Sequence, residues 1–163
     1  MVSLRCTPLT FLLTGFTWVL LSSLVGIATV IGLVKGTPLP PSLKMIHVHG
    51  ALVGGFLQLV MGGFFLSLAR SAEYKDAYSE SRPVLFLSLN AATIGLLASF
   101  WMGQMMLAGL AGLVLIGIVL SLSQMAWHHV QAELNQPVGA GWIYRAALIP
   151  LLVGLAIGVA MAF

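Results

Sequence analysis

Charged residues are scarce in this 163-residue chain. They make up 7% of it, with seven basic and four acidic side chains, whereas 60% of the residues are hydrophobic. The mean hydropathy is +1.06. A soluble domain carries about 25% charged residues, so these side chains cannot give a globule a polar surface. The scarcity excludes a water-soluble or disordered protein and predicts an all-α protein whose helices face lipid.

Cysteine and clustered basic residues are lacking as well. Cys6 is the only cysteine, which excludes an intramolecular disulfide and a cysteine-based metal cage, and we expect its thiol to be inert. The sequence pI is 9.4, but the basic residues are scattered singly, which argues against a nucleic-acid partner. No Ser/His/Asp arrangement, phosphate-binding loop or carboxylate within a span indicates catalysis by this chain alone.

Long apolar stretches are what the sequence has in abundance. A membrane-spanning helix needs about 20 mostly apolar residues, and the stretches of that length form a single transmembrane domain. Gly103 marks a tight turn between the third and fourth, since one helix through both would be about 70 Å long at 1.5 Å per residue. We expect the first stretch to be retained as a span. The five predicted spans are 11–34, 45–69, 83–102, 105–128 and 142–163.

The orientation follows from the basic residues of the short connections, which accumulate on the cytoplasmic side. The richer side contains Arg5, Arg70, Lys75, Arg82 and Arg145, and the other side contains Lys35 and Lys44. This bias predicts a cytoplasmic N-terminus and, with five spans, a C-terminus outside.

Four histidines are the ionisable groups closest to the predicted hydrocarbon region, where such groups are functional candidates. His47 and His49 open the second span on the outer side, and His128 and His129 end the fourth span on the cytoplasmic side. The two pairs are therefore about 30 Å apart, one hydrocarbon thickness, and cannot share a metal. The sequence around His128 and His129 is typical of an interfacial helix end.

Helical projection of the second span separates its two histidines. Residues two positions apart differ by about 200° around an α-helix. His47 falls on a small and polar stripe with Gly54 and Gln58, so we expect it to face a neighbouring helix, while the direction of His49 stays open. Asn90, in the third span, is the other deep polar group, and a hydrogen bond between helices from Gln58 would explain both residues structurally.

Methionines flank the turn between the third and fourth spans, on the outer side with the histidines of the second span. Thioether and imidazole together suit Cu(I) or a haem iron with His/Met ligation. Methionine is also a common apolar filler, so both interpretations remain open. The candidate metal-ligating residues are His47, His49, Met102, Met105 and Met106.

One stretch resembles a known family. Residues 47–64, HVHGALVG followed by GFLQLVMGGF, look like the second helix of the haem-copper oxidase subunit I superfamily. They are more similar to its small subunit-I-like members, which carry His-x-His, four residues and Gly early in that helix. The proline-containing link before His47 and the asparagine at position 90 extend the resemblance over spans one to three.

The resemblance implies a haem or metal ligand and a location. In subunit I a histidine at the outer end of the second helix is an axial haem ligand, and the matching residue here is His49 or His47. The chain would bind haem b or copper near its outer face, for electron transfer or metal handling, in a bacterial inner (cytoplasmic or intracytoplasmic) membrane.

The departures from the family matter too. The late-helix haem ligand and the copper-binding histidine cluster of full oxidases have no counterpart here. Because subunit I consists of three similar arcs of helices, a homotrimer within a membrane redox complex would replace the missing parts. The alternatives are a cofactor-free structural or accessory subunit and, with less support, a small-molecule channel along His47, Gln58 and Asn90.

Overall fold

The structure, a computed structural model, describes residues 6–37, 39–69 and 81–133, together with 146, 149–150, 153–154 and 156–157. These residues are helical apart from the connections, and no strand occurs among them. Four helices are long and apolar enough to cross a membrane, which confirms the all-α prediction for this part of the chain. The helices are α1 (Pro8–Val34), α2 (Pro41–His49), a π-helical segment (Gly50–Phe56), α3 (Leu57–Ala69), α4 (Ser81–Met102) and α5 (Met105–Glu133).

The fifth predicted span, 142–163, lies largely outside the described residues. The few residues described there are helical. The number of spans beyond four, and the sides on which the termini lie, therefore stay predictions.

Prolines and glycines set the helix ends. Pro8 and Pro41 occupy the first turns of α1 and α2, where a missing N–H costs nothing, so both helices begin before their predicted starts. Gly103 has a φ of 69°, a left-handed conformation that glycine adopts without strain. The Gln104 N–H donates to the Ser99 carbonyl at 2.8 Å. The predicted turn between two spans is thereby confirmed.

The second span lies in the middle of the bundle. Its α2, π-helical and α3 segments form one continuous helix that packs against α1 on one side and α4 on the other, and α5 packs against α4. In its most apolar window 56% of the residues are buried, against 11% for α1. Gly62 approaches Leu12, whereas His47 approaches Gly26, so the second span runs antiparallel to α1.

An aromatic cluster forms the core at the end of the bundle remote from His47 and His49. The Phe11 ring lies 5.3 Å from Phe65 and 5.2 Å from Phe86, centroid to centroid. The Arg82 guanidinium lies 5.6 Å from the Phe65 centroid, within the range of a cation–π contact. This cluster joins α1, α3 and α4 at that end of the bundle.

Candidate functional site

The histidines of α2 sit at the junction with the π-helical segment. Both are partly buried, and they contact different neighbours. His47 faces α1 and His49 faces α4, so the two imidazoles do not form one ligand set within this chain. The expectation that His47 faces a neighbouring helix is confirmed.

The His47 ring is held against α1. Its Nδ1 lies 2.6 Å from the Ser22 carbonyl oxygen, and a Cβ added at Gly26 would lie 2.6 Å from its Cε1. Because a carbonyl oxygen only accepts, Nδ1 is the protonated nitrogen in this contact, and Nε2 carries the lone pair when the ring is neutral. Only a glycine at position 26 leaves room for this ring.

The His49 ring is held by its own helix and by α4. Its Nδ1 lies 2.9 Å from the Met45 carbonyl oxygen, one helical turn earlier. Its ring centroid lies 4.7 Å from that of Phe100, with the planes tilted by 51°. Because the carbonyl oxygen only accepts, Nδ1 again carries the proton, and Nε2 of the neutral ring is available to coordinate a metal. A backbone carbonyl on the second ring nitrogen is the usual support of a metal-bound histidine.

The π-helical segment explains why the direction of His49 could not be assigned from the sequence. A helix with i→i+5 hydrogen bonds turns by less than 100° per residue, so a constant projection puts residues before and after Gly50–Phe56 out of phase. The segment carries Gly50, Gly54 and Gly55, which pack closely on α1 or α4. Segments of this type are frequent at functional sites.

A buried polar network crosses the middle of the bundle. The Gln58 amide Nε2 donates to Asn90 Oδ1 at 3.0 Å, which is the bond expected from the sequence. The Trp18 indole Nε1 donates to the same oxygen at 3.1 Å, and Asn90 Nδ2 donates to the Phe86 carbonyl at 2.8 Å. The sequence did not predict this role of Trp18, because a tryptophan in an apolar span is expected to contribute only to apolar packing.

One acceptor of this network is left over. Gln58 is fully buried, and its Oε1 has no hydrogen-bond partner in the structure. The amide cannot be rotated to correct this, because Oε1 would then face Asn90 Oδ1, an acceptor that already receives the Trp18 N–H. Gln58 and Asn90 thus hydrogen-bond between helices, with Trp18 of α1 as the third partner.

The three candidate methionines lie around the α4–α5 turn. Met102, Met105 and Met106 are exposed, and the turn is at the same end of the bundle as His49, whose ring contacts Phe100 near the end of α4. Among the described residues, no group of three or more His, Cys, Asp or Glu side chains could together hold a metal ion. Within the described part of the chain, a metal at this end would therefore have thioether ligands beside a histidine.

The second histidine pair is remote from this end. His128 and His129 belong to the last part of α5, which begins at the turn and runs away from it. Their positions are about 35 Å along the helix from Met105 at 1.5 Å per residue. The expected separation of the two pairs agrees with this backbone path.

A groove of about 610 Å³ lies between α1 and α2. Its wall is mostly aliphatic, and Lys44 and His47 contribute its basic groups; neither Gln58 nor Asn90 lines it, so this groove does not provide the channel considered above. The lining residues are Ser23, Gly26, Ile27, Thr29, Val30, Ile31, Leu33, Lys44 and His47.

Comparison with protein-family models, with curated proteins and with solved structures finds no match to this chain. The resemblance to the subunit I superfamily therefore rests on the residues of spans one to three.

Proposed function

We propose that this chain is a bacterial inner-membrane protein, similar to a fragment of haem-copper oxidase subunit I, that binds haem b or copper near its outer face. His49 is the ligand in this proposal, and the function is electron transfer or metal handling. His47 faces α1 and supports the site by holding the second span against that helix through its contact with the Ser22 carbonyl. The observation that carries it is the hydrogen bond from His49 Nδ1 to the Met45 carbonyl, which leaves Nε2 for the metal.

The residues around His49 fit such a group chemically. Neutral imidazole is a ligand for both iron and copper. The thioethers at positions 102, 105 and 106 are exposed at the same end, and a thioether would suit Cu(I) or a haem iron. A bound metal would supply one-electron chemistry, while the chain fixes the tautomer of His49 through the Met45 carbonyl and places the Phe100 ring against its imidazole.

The coordination is completed by a second copy or another subunit. The described residues lack a cluster of His, Cys, Asp and Glu ligands, and α1 is apolar and little buried, so its surface is available to a neighbouring protomer. We therefore include in the proposal a homotrimer that takes part in a membrane redox complex.

The test is the optical spectrum and metal content of the protein purified in mild detergent. Wild type is expected to contain stoichiometric haem or copper, His49→Ala to lose it, and His47→Ala to retain less of it. His129→Ala, which removes a histidine from the opposite end of the bundle, is the matched control and should keep wild-type content. Equal metal content in His49→Ala and His129→Ala would overturn the assignment.

A cofactor-free structural or accessory subunit is the second candidate. The Trp18–Asn90–Gln58 network favours it, since these polar groups are explained by hydrogen bonds between helices alone. Under this proposal, alanine at both His47 and His49 leaves spectrum and metal content unchanged, and the largest defects come from side chains added at Gly54.

A further inference from the structure

The groove between α1 and α2 is lined by one lysine, Lys44. Lys44 lines the groove and is exposed, in the first turn of the second span. The four acidic residues of the chain stand at positions 73, 76, 80 and 133. None of the residues that the structure describes in α1, in the link or in the second span is acidic, so the elements that form the groove bring no carboxylate to Lys44. The groove thus presents the Lys44 ammonium group without a counter-ion from the helices that form the groove.

The remainder of the groove is chemically apolar. Ile27, Val30, Ile31 and Leu33 of α1 line it, and all four side chains are at least 48% exposed. Its hydroxyl groups are already used within α1. The Ser23 hydroxyl donates to the Val19 carbonyl at 2.8 Å, and the Thr29 hydroxyl donates to the Val25 carbonyl at 2.9 Å. An acyl chain would meet no unsatisfied hydroxyl donor there.

The dimensions match one leaflet of a bilayer. The α1 residues of the groove run from Ser23 to Leu33, about 15 Å along the helix at 1.5 Å per residue. This is half of the roughly 30 Å hydrocarbon thickness. Leu33 lies at the end near the link to α2, and Lys44 precedes His47 by three residues on the side of that link, whereas His47 contacts Ser22 and Gly26 at the deeper end of the groove. A lysine at the interface extends its ammonium group toward the headgroups.

We propose that this groove binds an anionic phospholipid, with the headgroup phosphate paired to Lys44 and one acyl chain lying along Ile27 and Val30 as far as His47. The charge of Lys44 selects the headgroup, and the aliphatic wall accommodates the chain. The site goes beyond the proposed function, because it lies on the α1 face of α2, whereas His49 faces α4, and it requires no metal.

The experiment is native mass spectrometry of the purified protein titrated with phosphatidylglycerol or with phosphatidylcholine of the same acyl chains. Wild type should bind phosphatidylglycerol about fivefold more tightly, the effect of one lysine near an anionic headgroup. Lys44→Gln should abolish this preference. Lys35→Gln, a matched loss of an exposed lysine outside the groove lining, should preserve it. Inorganic phosphate at the same concentration should displace no lipid.

A substitution in the aliphatic wall distinguishes lipid binding in the groove from a general attraction between the basic protein and an anionic lipid. Ile27→Trp places a bulky ring in the groove from an exposed position and should weaken binding of both lipids while the thermal midpoint stays at the wild-type value. The proposal is overturned by equal affinity of wild type for the two lipids, by the same loss in Lys35→Gln as in Lys44→Gln, or by unchanged binding in Ile27→Trp. Haem retained in the groove in place of lipid, and lost in Lys44→Gln, would also overturn it.

Discussion

The Trp18 indole of α1 and the Asn90 amide of α4 are joined by a hydrogen bond of 3.1 Å across the second span. The bond passes Gly54, where an added Cβ would lie 2.7 Å from the indole ring and 3.1 Å from Thr93. The absence of a side chain at position 54 therefore lets α1 and α4 reach each other. Gln58, one turn further along, donates to the same Asn90 oxygen, so three helices meet at one acceptor.

Loss of the Asn90 acceptor should destabilise the bundle. Asn90→Leu leaves the Trp18 N–H and the Gln58 amide N–H without this partner, and hydrogen bonds between membrane helices contribute about 0.6–1.7 kcal/mol each. We expect a loss of about 1–3 kcal/mol in the free energy of unfolding, measured by denaturant titration in mixed micelles. Ser99→Ala is the control, since its hydroxyl bonds only within α4. Equal losses in the two variants would contradict the network.

A methyl group at position 54 should have a similar cost for a different reason. Gly54→Ala forces the Trp18 ring away, and overpacking of this kind costs about 1–3 kcal/mol. Gly95→Ala is the matched control, because nothing lies within 4 Å of its added Cβ, and the gain in helix propensity makes it neutral or stabilising by up to about 1 kcal/mol. The measurement is the thermal midpoint of each variant in detergent. A midpoint of Gly54→Ala at or above that of Gly95→Ala would contradict the close contact between position 54 and the Trp18 ring.

The single cysteine reports the orientation of the N-terminus. Cys6 precedes α1 and is partly exposed, and burial raises the pKa of its thiol. Since the thiolate is the reactive form, its labelling should accelerate as the pH rises. A membrane-impermeant maleimide is expected to label Cys6 in inverted vesicles and not in right-side-out ones. The double variant Cys6→Ser, Lys35→Cys should show the reverse, and the same accessible side for both thiols would contradict the topology.

The predicted homotrimer can be tested by measuring the native mass of the protein. In a mild detergent, the native mass corrected for bound detergent and lipid should equal three times the 17.3 kDa of the chain. A mass of one protomer under conditions that preserve the fold would remove the homotrimer from the proposal.

Much of the helical architecture could be predicted from apolar length alone. The end of the third span and the start of the fourth could be placed near Gly103, because the combined stretch is too long for one bilayer. The structure has a left-handed glycine at this position. The Gln58–Asn90 bond was predictable because two amides in apolar spans need partners. The orientation of the termini rests on charge bias alone and stays a prediction.

The site could be predicted only in part. The sequence showed that His47 and His49 face different ways, but it could not assign the neighbour of His49, because the π-helical segment after it changes the phase of the helix. Trp18 and the groove were also beyond sequence reasoning. The indole acquires its role only through Asn90, 72 positions away, and the groove arises from the packing of α1 on α2, which no periodicity reports.

The most direct test of the metal-binding proposal is a reduced-minus-oxidised optical spectrum, combined with iron and copper analysis, of the wild-type protein purified from its membrane. The account predicts a haem Soret band with stoichiometric iron, or stoichiometric copper, that disappears in His49→Ala. Colourless, metal-free protein that retains its helical content and thermal transition would contradict it.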